Sequence, residues 1–268
     1  MRLATVTHPG GGTSAAVARG EVWHALPAPD LSVWLRTGAP RQPGEPIPGA
    51  VPVLPLPAPG KVICCGLNYA EHIRETGREL PSHPTLFAKF ADTLTGPRSD
   101  LVLPRGLQVD WEAELAVVVG ATLRRADRAA ALAGIAGYTV ANDVSVRDWQ
   151  YRTLQWFQGK AWDASCPVGP VLVTPDELDP AAGLEVLCRV NGERVQRDST
   201  KTLVFDAADL LAYISAFTVL RPGDLVLTGT PGGVGAARDP QRFLADGDVL
   251  ETSISGIGTL RNTVRFTD

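Results

Sequence analysis

Two acids stand at the head of an apolar run. In VDWEAELAVVVG, residues 109–120, Glu112 and Glu114 are two apart and lead into Leu115, Ala116, Val117, Val118 and Val119. Alternate side chains of a β-strand project to opposite faces, so the two carboxylates share one face. Buried together they lose hydration and repel each other, an arrangement that demands a positive partner between them. A third acid, Asp143 in GYTVANDVSVRDWQ, also follows a short apolar run. Carboxylates held in this way are hard oxygen ligands suited to Mg²⁺, Mn²⁺ or Ca²⁺.

A chain of 268 residues can bury a large core, either as one mixed domain or as a large domain with a small appendage. A formal net charge of −4, with Lys and Arg scattered along the chain, gives no reason to expect nucleic acid. The 27 glycines and 22 prolines favour turns and short strands over long helices. No apolar run reaches the ~18 residues of a membrane span, and MRLATVTHPGGG lacks a secretory segment, so a cytoplasmic location away from membranes is expected. Cys64, Cys65, Cys166 and Cys188 lack metal-type spacing and read as small buried residues in a reducing compartment.

Residues 1–58 read as a small, mostly extended module. MRLATV and GEVWHAL are expected to pair as strands, SVWLRTG to form a short helix, and the proline-dense stretch after it to serve as a linker or wrapped segment. From Lys61 the texture changes, and residues 59–268 read as the main domain. KVICCGLNYAEHIRETG is a strand, a turn and a helical patch on which His72 and Glu75 share a face. On spacing alone that pair is a solvated surface pair. Lys89, in TLFAKF, reads by itself as an edge-strand lysine reaching water.

The alanine- and arginine-rich ATLRRADRAAALAGIAG predicts a helix between the Glu112/Glu114 strand and the Asp143 strand. VSVRDWQYRTLQWFQGKAWDASCPVGP mixes Arg147, Gln150 and Lys160 with Trp149, Trp156, Phe157 and Trp162, a composition shared by pocket walls and core margins. VNGERVQ is a hairpin signal with Asn191-Gly192 at the turn. TGTPGGVG lacks the lysine and spacing of a phosphate loop, and its glycines let backbone N–H groups approach a ligand or a strand closely.

With GLNYAEHIRETG, VDWEAELAVVVG, GYTVANDVSVRDWQ, GKAWDASCPVGP, VNGERVQ and GDLVLTGTPGGVG in this order, the chain from Lys61 onward resembles the fumarylacetoacetate hydrolase family. The resemblance implies an α+β, predominantly β fold: a mixed β-sandwich roll of that family's C-terminal type with a small N-terminal module, assembled as a homodimer. It implies Mg²⁺ or Mn²⁺, with Ca²⁺ also fitting, on Glu112, Glu114 and Asp143. It assigns catalysis to His72, Glu75 and Lys160, on a centre whose lid spans residues 68–77. Arg147, Gln150 and Thr230 fall at its substrate-binding positions, joined by Lys89 with a less defined role. Trp149 and Trp162 are bulkier than the family pattern.

The implied function is metal-dependent hydrolysis of a carbon–carbon bond in an acylpyruvate-like 1,3-diketo acid. Decarboxylation of an oxaloacetate-like 2-oxo acid and enol–keto isomerisation of an unsaturated dioate are the alternatives on nearly the same residues. A non-catalytic, metal-stabilised binding protein is a lesser one.

Overall fold

In the computed structural model, which describes residues 1–39, 42–70, 73 and 79–268, the strand Ala113–Val119 runs through the middle of the molecule with every residue buried. Its valines suit a pleated strand packed on both faces. Leu115, Val117 and Val119 enter one apolar core, and Ala116 and Val118 enter a second on the opposite face of the sheet.

Such a strand belongs inside a sheet. The main sheet has eleven strands, nine of them in the spatial order Val22–Ala25, Thr13–Arg19, Arg2–Thr7, Cys166–Val173, Ile135–Asn142, Ala113–Val119, Leu225–Leu227, Val62–Gly66 and Thr85–Lys89. Most pairs are antiparallel, while Leu225–Leu227 runs parallel to Val62–Gly66. A five-stranded sheet, ordered Glu193–Ser199, Glu185–Val190, Val249–Ile254, Gly258–Thr267 and Leu101–Pro104, covers the first core with Val186, Val190, Leu250, Leu260 and Val264. The architecture is the expected mixed, mainly β one. The hairpin at Asn191-Gly192 forms with both residues at positive φ, the conformation a tight two-residue turn requires.

Two local expectations change. MRLATV and GEVWHAL do not pair with each other, because Thr13–Arg19 lies between them and is antiparallel to both. Gly11 and Gly12, at φ 91° and 82°, turn the chain back at once, and the alanine-rich TSAAVAR that follows carries little strand signal of its own. The first strand then pairs with Cys166–Val173, so the N-terminal strands extend the main sheet.

The acid stretch is also not one continuous strand. Val109–Asp110 pairs with Ser145–Val146 in a separate two-stranded ribbon, and Trp111 and Glu112 bridge the break before Ala113. Glu112 nevertheless stays in register with the next strand. Its N–H donates to Asn142 Oδ1 at 3.0 Å, and its carbonyl accepts from Asp143 N at 2.8 Å.

The expected connecting helix is present at Arg128–Ala133, capped by the Asp127 side chain. It packs on Ala207–Phe217, which opens with a reciprocal capping box between Asp206 and Asp209, both of them also paired to Arg128.

Two short helices, Arg147–Gln150 and Phe157–Lys160, set the side chains after the ribbon. They touch at Gly159, where an added Cβ would lie 2.4 Å from Gln150 Cβ and 2.7 Å from its backbone nitrogen. Gly159→Ala is therefore expected to force the helices apart and to destabilise the fold by about 1–3 kcal/mol. A lowered urea midpoint at unchanged slope would show this, and an unchanged midpoint would refute it.

Candidate active site

Where the strands Ala113–Val119 and Ile135–Asn142 end side by side, their register brings three acids to one point. Oxygens of Glu112, Glu114 and Asp143 all lie within 4.8 Å of one another, and all three residues are buried. Neighbouring cations hold them together. Lys160 Nζ lies 2.8 Å from Glu112 Oε2 and 2.8 Å from Asp143 Oδ2, and Lys89 Nζ lies 2.6 Å from Asp143 Oδ1.

Lys89 does not reach water, as an edge lysine would. Its strand is at the sheet edge, yet its side chain points inward and is fully buried against Asp143. The buried Asp143 carboxylate, which takes Lys160 on one oxygen and Lys89 on the other, draws the side chain inward.

The protonation states follow from these contacts. Burial opposes ionisation of Asp143, but Lys160 and Lys89 outweigh it and hold its carboxyl below the usual range. Burial likewise opposes the charge on Lys160, and Asp143 and Glu112 reverse the effect and raise its pKa. Glu114 is different. Burial, then Asp143 and Glu112, push its carboxyl well above the usual carboxylate range against the weaker pull of Lys160 and of Gly229 N–H, which donates at 2.6 Å.

The sequence pattern singled out neither Asp110 nor Gln196. Asp110 is fully buried; its Oδ1 accepts from Trp111 N and Gly235 N at 2.8 and 2.7 Å, and its Oδ2 from Arg147 Nε and Ala236 N at 2.8 and 3.0 Å. Arg147 Nη1 donates to Gln150 Oε1 at 2.7 Å. Arg147 Nη2 lies 2.7 Å from Glu112 Oε1 as an ion pair but is aimed off that oxygen, and it makes no hydrogen bond. Gln196 accepts from Ala113 N, between the two strand acids, and donates to Thr230 Oγ1 and Pro231 O. Thr230 Oγ1 in turn donates to Ala113 O at 3.0 Å. Gln196 thus fastens the glycine turn to the acid strand. An acid one residue before a Trp-Glu-x-Glu pattern, and a glutamine in the returning arm of a hairpin, were the available signals.

A cleft of about 420 Å³ opens over these groups. Glu112, Arg147, Gln150, Lys160 and Thr230 form its polar wall, and Leu67, Phe87, Trp156 and Val234 its apolar one. Trp156 lies directly over Gly66, where an added Cβ would come within 2.4 Å of the indole, and meets Phe87 edge to face at 5.6 Å. The bulky Trp149 and Trp162 pack against each other at 5.3 Å instead of lining the cleft. Cys65 does line it, but burial and then Glu114 push its thiol up to about 12, which removes it as a nucleophile near neutral pH. All four cysteines are free. His72 and Glu75 lie outside the described residues.

The family model described as "Fumarylacetoacetate (FAA) hydrolase C-terminal" matches residues 61–265. The chain belongs to the fumarylacetoacetate hydrolase family. Within it, the chain is 44% identical over 237 residues to the human mitochondrial oxaloacetate tautomerase FAHD2A, covering 87% of this chain and 76% of that protein. It is also 44% identical over 224 residues to a 2,4-didehydro-3-deoxy-L-rhamnonate hydrolase of Sphingomonas sp. (strain SKA58), covering 82% and 77%. The solved fumarylacetoacetate hydrolase of psychrophilic Exiguobacterium antarcticum superposes over 100% of both chains with a TM-score of 0.90 at 34% identity. The relatives of this chain are enzymes.

The residues fit the divalent cation common in this family. Among the described residues, four buried carboxylates, Asp110, Glu112, Glu114 and Asp143, face three cations, Lys89, Arg147 and Lys160. Burial, then Asp143 and Glu112, raise the pKa of Glu114, which favours a proton on its carboxyl where no cation is bound. A cation displaces that proton, so its affinity is expected to weaken as pH falls through the raised pKa of Glu114 and to gain as pH rises toward it. Calorimetry of Mg²⁺ or Mn²⁺ binding in two buffers of different ionisation enthalpy should register proton release, and none from wild type would refute the assignment.

Lys160→Met removes the ammonium between Glu112 and Asp143. Asp143 keeps Lys89 and Glu112 keeps the Arg147 ion pair, so the cost is expected to stay below the roughly 3–5 kcal/mol of a buried acid left wholly unpaired. The loss of unfolding free energy is expected to be larger in chelator than in excess Mg²⁺; equal losses would separate Lys160 from the cation site.

Proposed function

We propose that this chain is a divalent-metal-dependent enzyme that interconverts the enol and keto forms of an oxaloacetate-like 2-oxo dicarboxylic acid. One observation carries the reading: three buried carboxylates and a bridging lysine converge beside a cleft that Glu112 and Lys160 line, together with a buried arginine whose Nη2 makes no hydrogen bond. Similarity to a protein named oxaloacetate tautomerase supports it.

Glu112, Glu114 and Asp143 would hold a Mg²⁺ or Mn²⁺, which would supply positive charge for a developing enolate. The chain provides the rest. Arg147 directs Nη2 to the carboxylate remote from the reacting carbons, and Gln150 holds that guanidinium in plane. Lys160, kept as an ammonium by Asp143 and Glu112, adds charge beside the enolate oxygen. Phe87, Leu67 and Trp156 exclude water, which strengthens each of these interactions. His72, oriented by Glu75, carries the proton between carbon and oxygen. The four free, buried cysteines accord with a reducing compartment, the cytoplasm among them.

The same groups support hydrolytic cleavage of an acylpyruvate-like 1,3-diketo acid, and the equal identity to a named hydrolase favours this as the second reading. There, His72 takes a proton from a water that attacks the distal carbonyl, and Lys160 stabilises the oxyanion.

A product-resolved assay separates the two. With Mg²⁺ or Mn²⁺, the enol absorbance of oxaloacetate is expected to decay faster than without enzyme, at unchanged product mass, and excess chelator should abolish the acceleration. Two acid fragments from acylpyruvates would establish the hydrolase instead, and carbon dioxide from oxaloacetate a decarboxylase. Saturable binding without turnover across the panel would leave a binding protein.

A further inference from the structure

Asp110 is buried in the site yet stands outside the acid triad, and all of its hydrogen-bonding capacity is committed. A carboxylate accepts about four hydrogen bonds, and Asp110 receives four, from Trp111 N, Gly235 N, Ala236 N and Arg147 Nε. Two come from the glycine-rich loop and one from the guanidinium, so a single side chain ties the loop to the arginine.

The guanidinium is planar and rigid, so fixing two of its nitrogens fixes the third. Nε is fixed by Asp110 at 2.8 Å and Nη1 by Gln150 at 2.7 Å. Nη2 is left without a hydrogen bond, in a residue 4% exposed that lines the cleft. Glu112 Oε1, 2.7 Å away, pairs with Nη2 as an ion but takes no hydrogen bond from it, so that bond stays open to an arriving anion. The loop is set by the same anchor: Val234, Ala236 and Ala237 line the cleft, and Gly235 between them has no room for a side chain, since a Cβ would fall 1.9 Å from Arg242 O and 2.8 Å from Asp110 Oδ1.

We propose that Asp110 is a positioning residue for anion recognition: by holding Arg147 Nε and the Gly235–Ala236 N–H groups together, it aims Nη2 at the remote carboxylate of a dicarboxylic substrate and sets the width of the cleft there. This rests on the proposal that the site takes a 2-oxo dicarboxylic acid. Asp110 touches neither cation nor reacting carbons, so its loss is felt in substrate affinity more than in turnover.

The test compares Asp110→Asn with wild type and with Asp224→Asn. Asp224 is equally buried but binds Lys61 and Arg221, away from the cleft. Oxalate, which engages the cation through both of its carboxylates and leaves none for Arg147, is titrated with Mg²⁺ present, and KM and kcat are measured on oxaloacetate. In Asp110→Asn the KM is expected to rise roughly 10- to 100-fold, with kcat changed far less and oxalate affinity unchanged. Asp224→Asn should lower thermal stability and leave KM alone.

If Asp110→Asn does not fold, Asp110→Ala is assayed with added formate, which should restore KM by refilling the carboxylate position. An unchanged KM, or a parallel loss of oxalate affinity and kcat, would overturn the positioning role. Wild type that neither binds oxalate with Mg²⁺ nor acts on any 2-oxo acid would remove the functional reading itself, and this proposal with it.

Discussion

The structure depends on one constraint: negative charges brought together in a dry place must be answered there. Glu112 and Asp143 come from the ends of adjacent strands, and the Lys160 ammonium lies 2.8 Å from both. Without that bridge the register of Ala113–Val119 against Ile135–Asn142 would press two carboxylates together at the edge of an apolar core. Much of the surrounding chain serves the bridge. The ribbon strand Ser145–Val146 runs into the helix Arg147–Gln150, and the helix Phe157–Lys160 closes onto that helix at Gly159, delivering the ammonium.

The break at Trp111 and Glu112 belongs to the same solution. A regular strand from Val109 to Val119 would continue the ladder and leave Asp110 within it. Interrupting the ladder frees Asp110 to collect Arg147 and the glycine loop, while Asn142 and Asp143 still hold Glu112 in line. Backbone irregularity here has a specific hydrogen-bond account, as buried polar groups require.

How much of this the sequence displayed varies with the range of the interaction. The acids were visible because a charge inside an apolar run is anomalous over a few residues, and the strand, helix, strand order around Asp143 followed from local periodicity. The hairpin was legible from two residues. Lys89 was misjudged because its partner, Asp143, is 54 positions away, and nothing in TLFAKF distinguishes an inward from an outward lysine. Asp110 and Gln196 were passed over for the same reason: Asp110 is joined to Gly235 across 125 positions and Gln196 to Ala113 across 83. The alanine-rich strand Thr13–Arg19 was missed because its burial comes from the sheet it joins, not from a pattern of its own.

Lys89 has a consequence for folding fidelity. It sits on Thr85–Lys89, among the described residues an outermost strand of the main sheet, a position where strands are prone to mispairing. A slip of one residue would turn every side chain of that strand over, sending the ammonium to solvent and leaving Asp143 short of a cation. The ion pair therefore proofreads the alignment of the last strand, and a chain that docks it wrongly is penalised electrostatically at the site the fold exists to build.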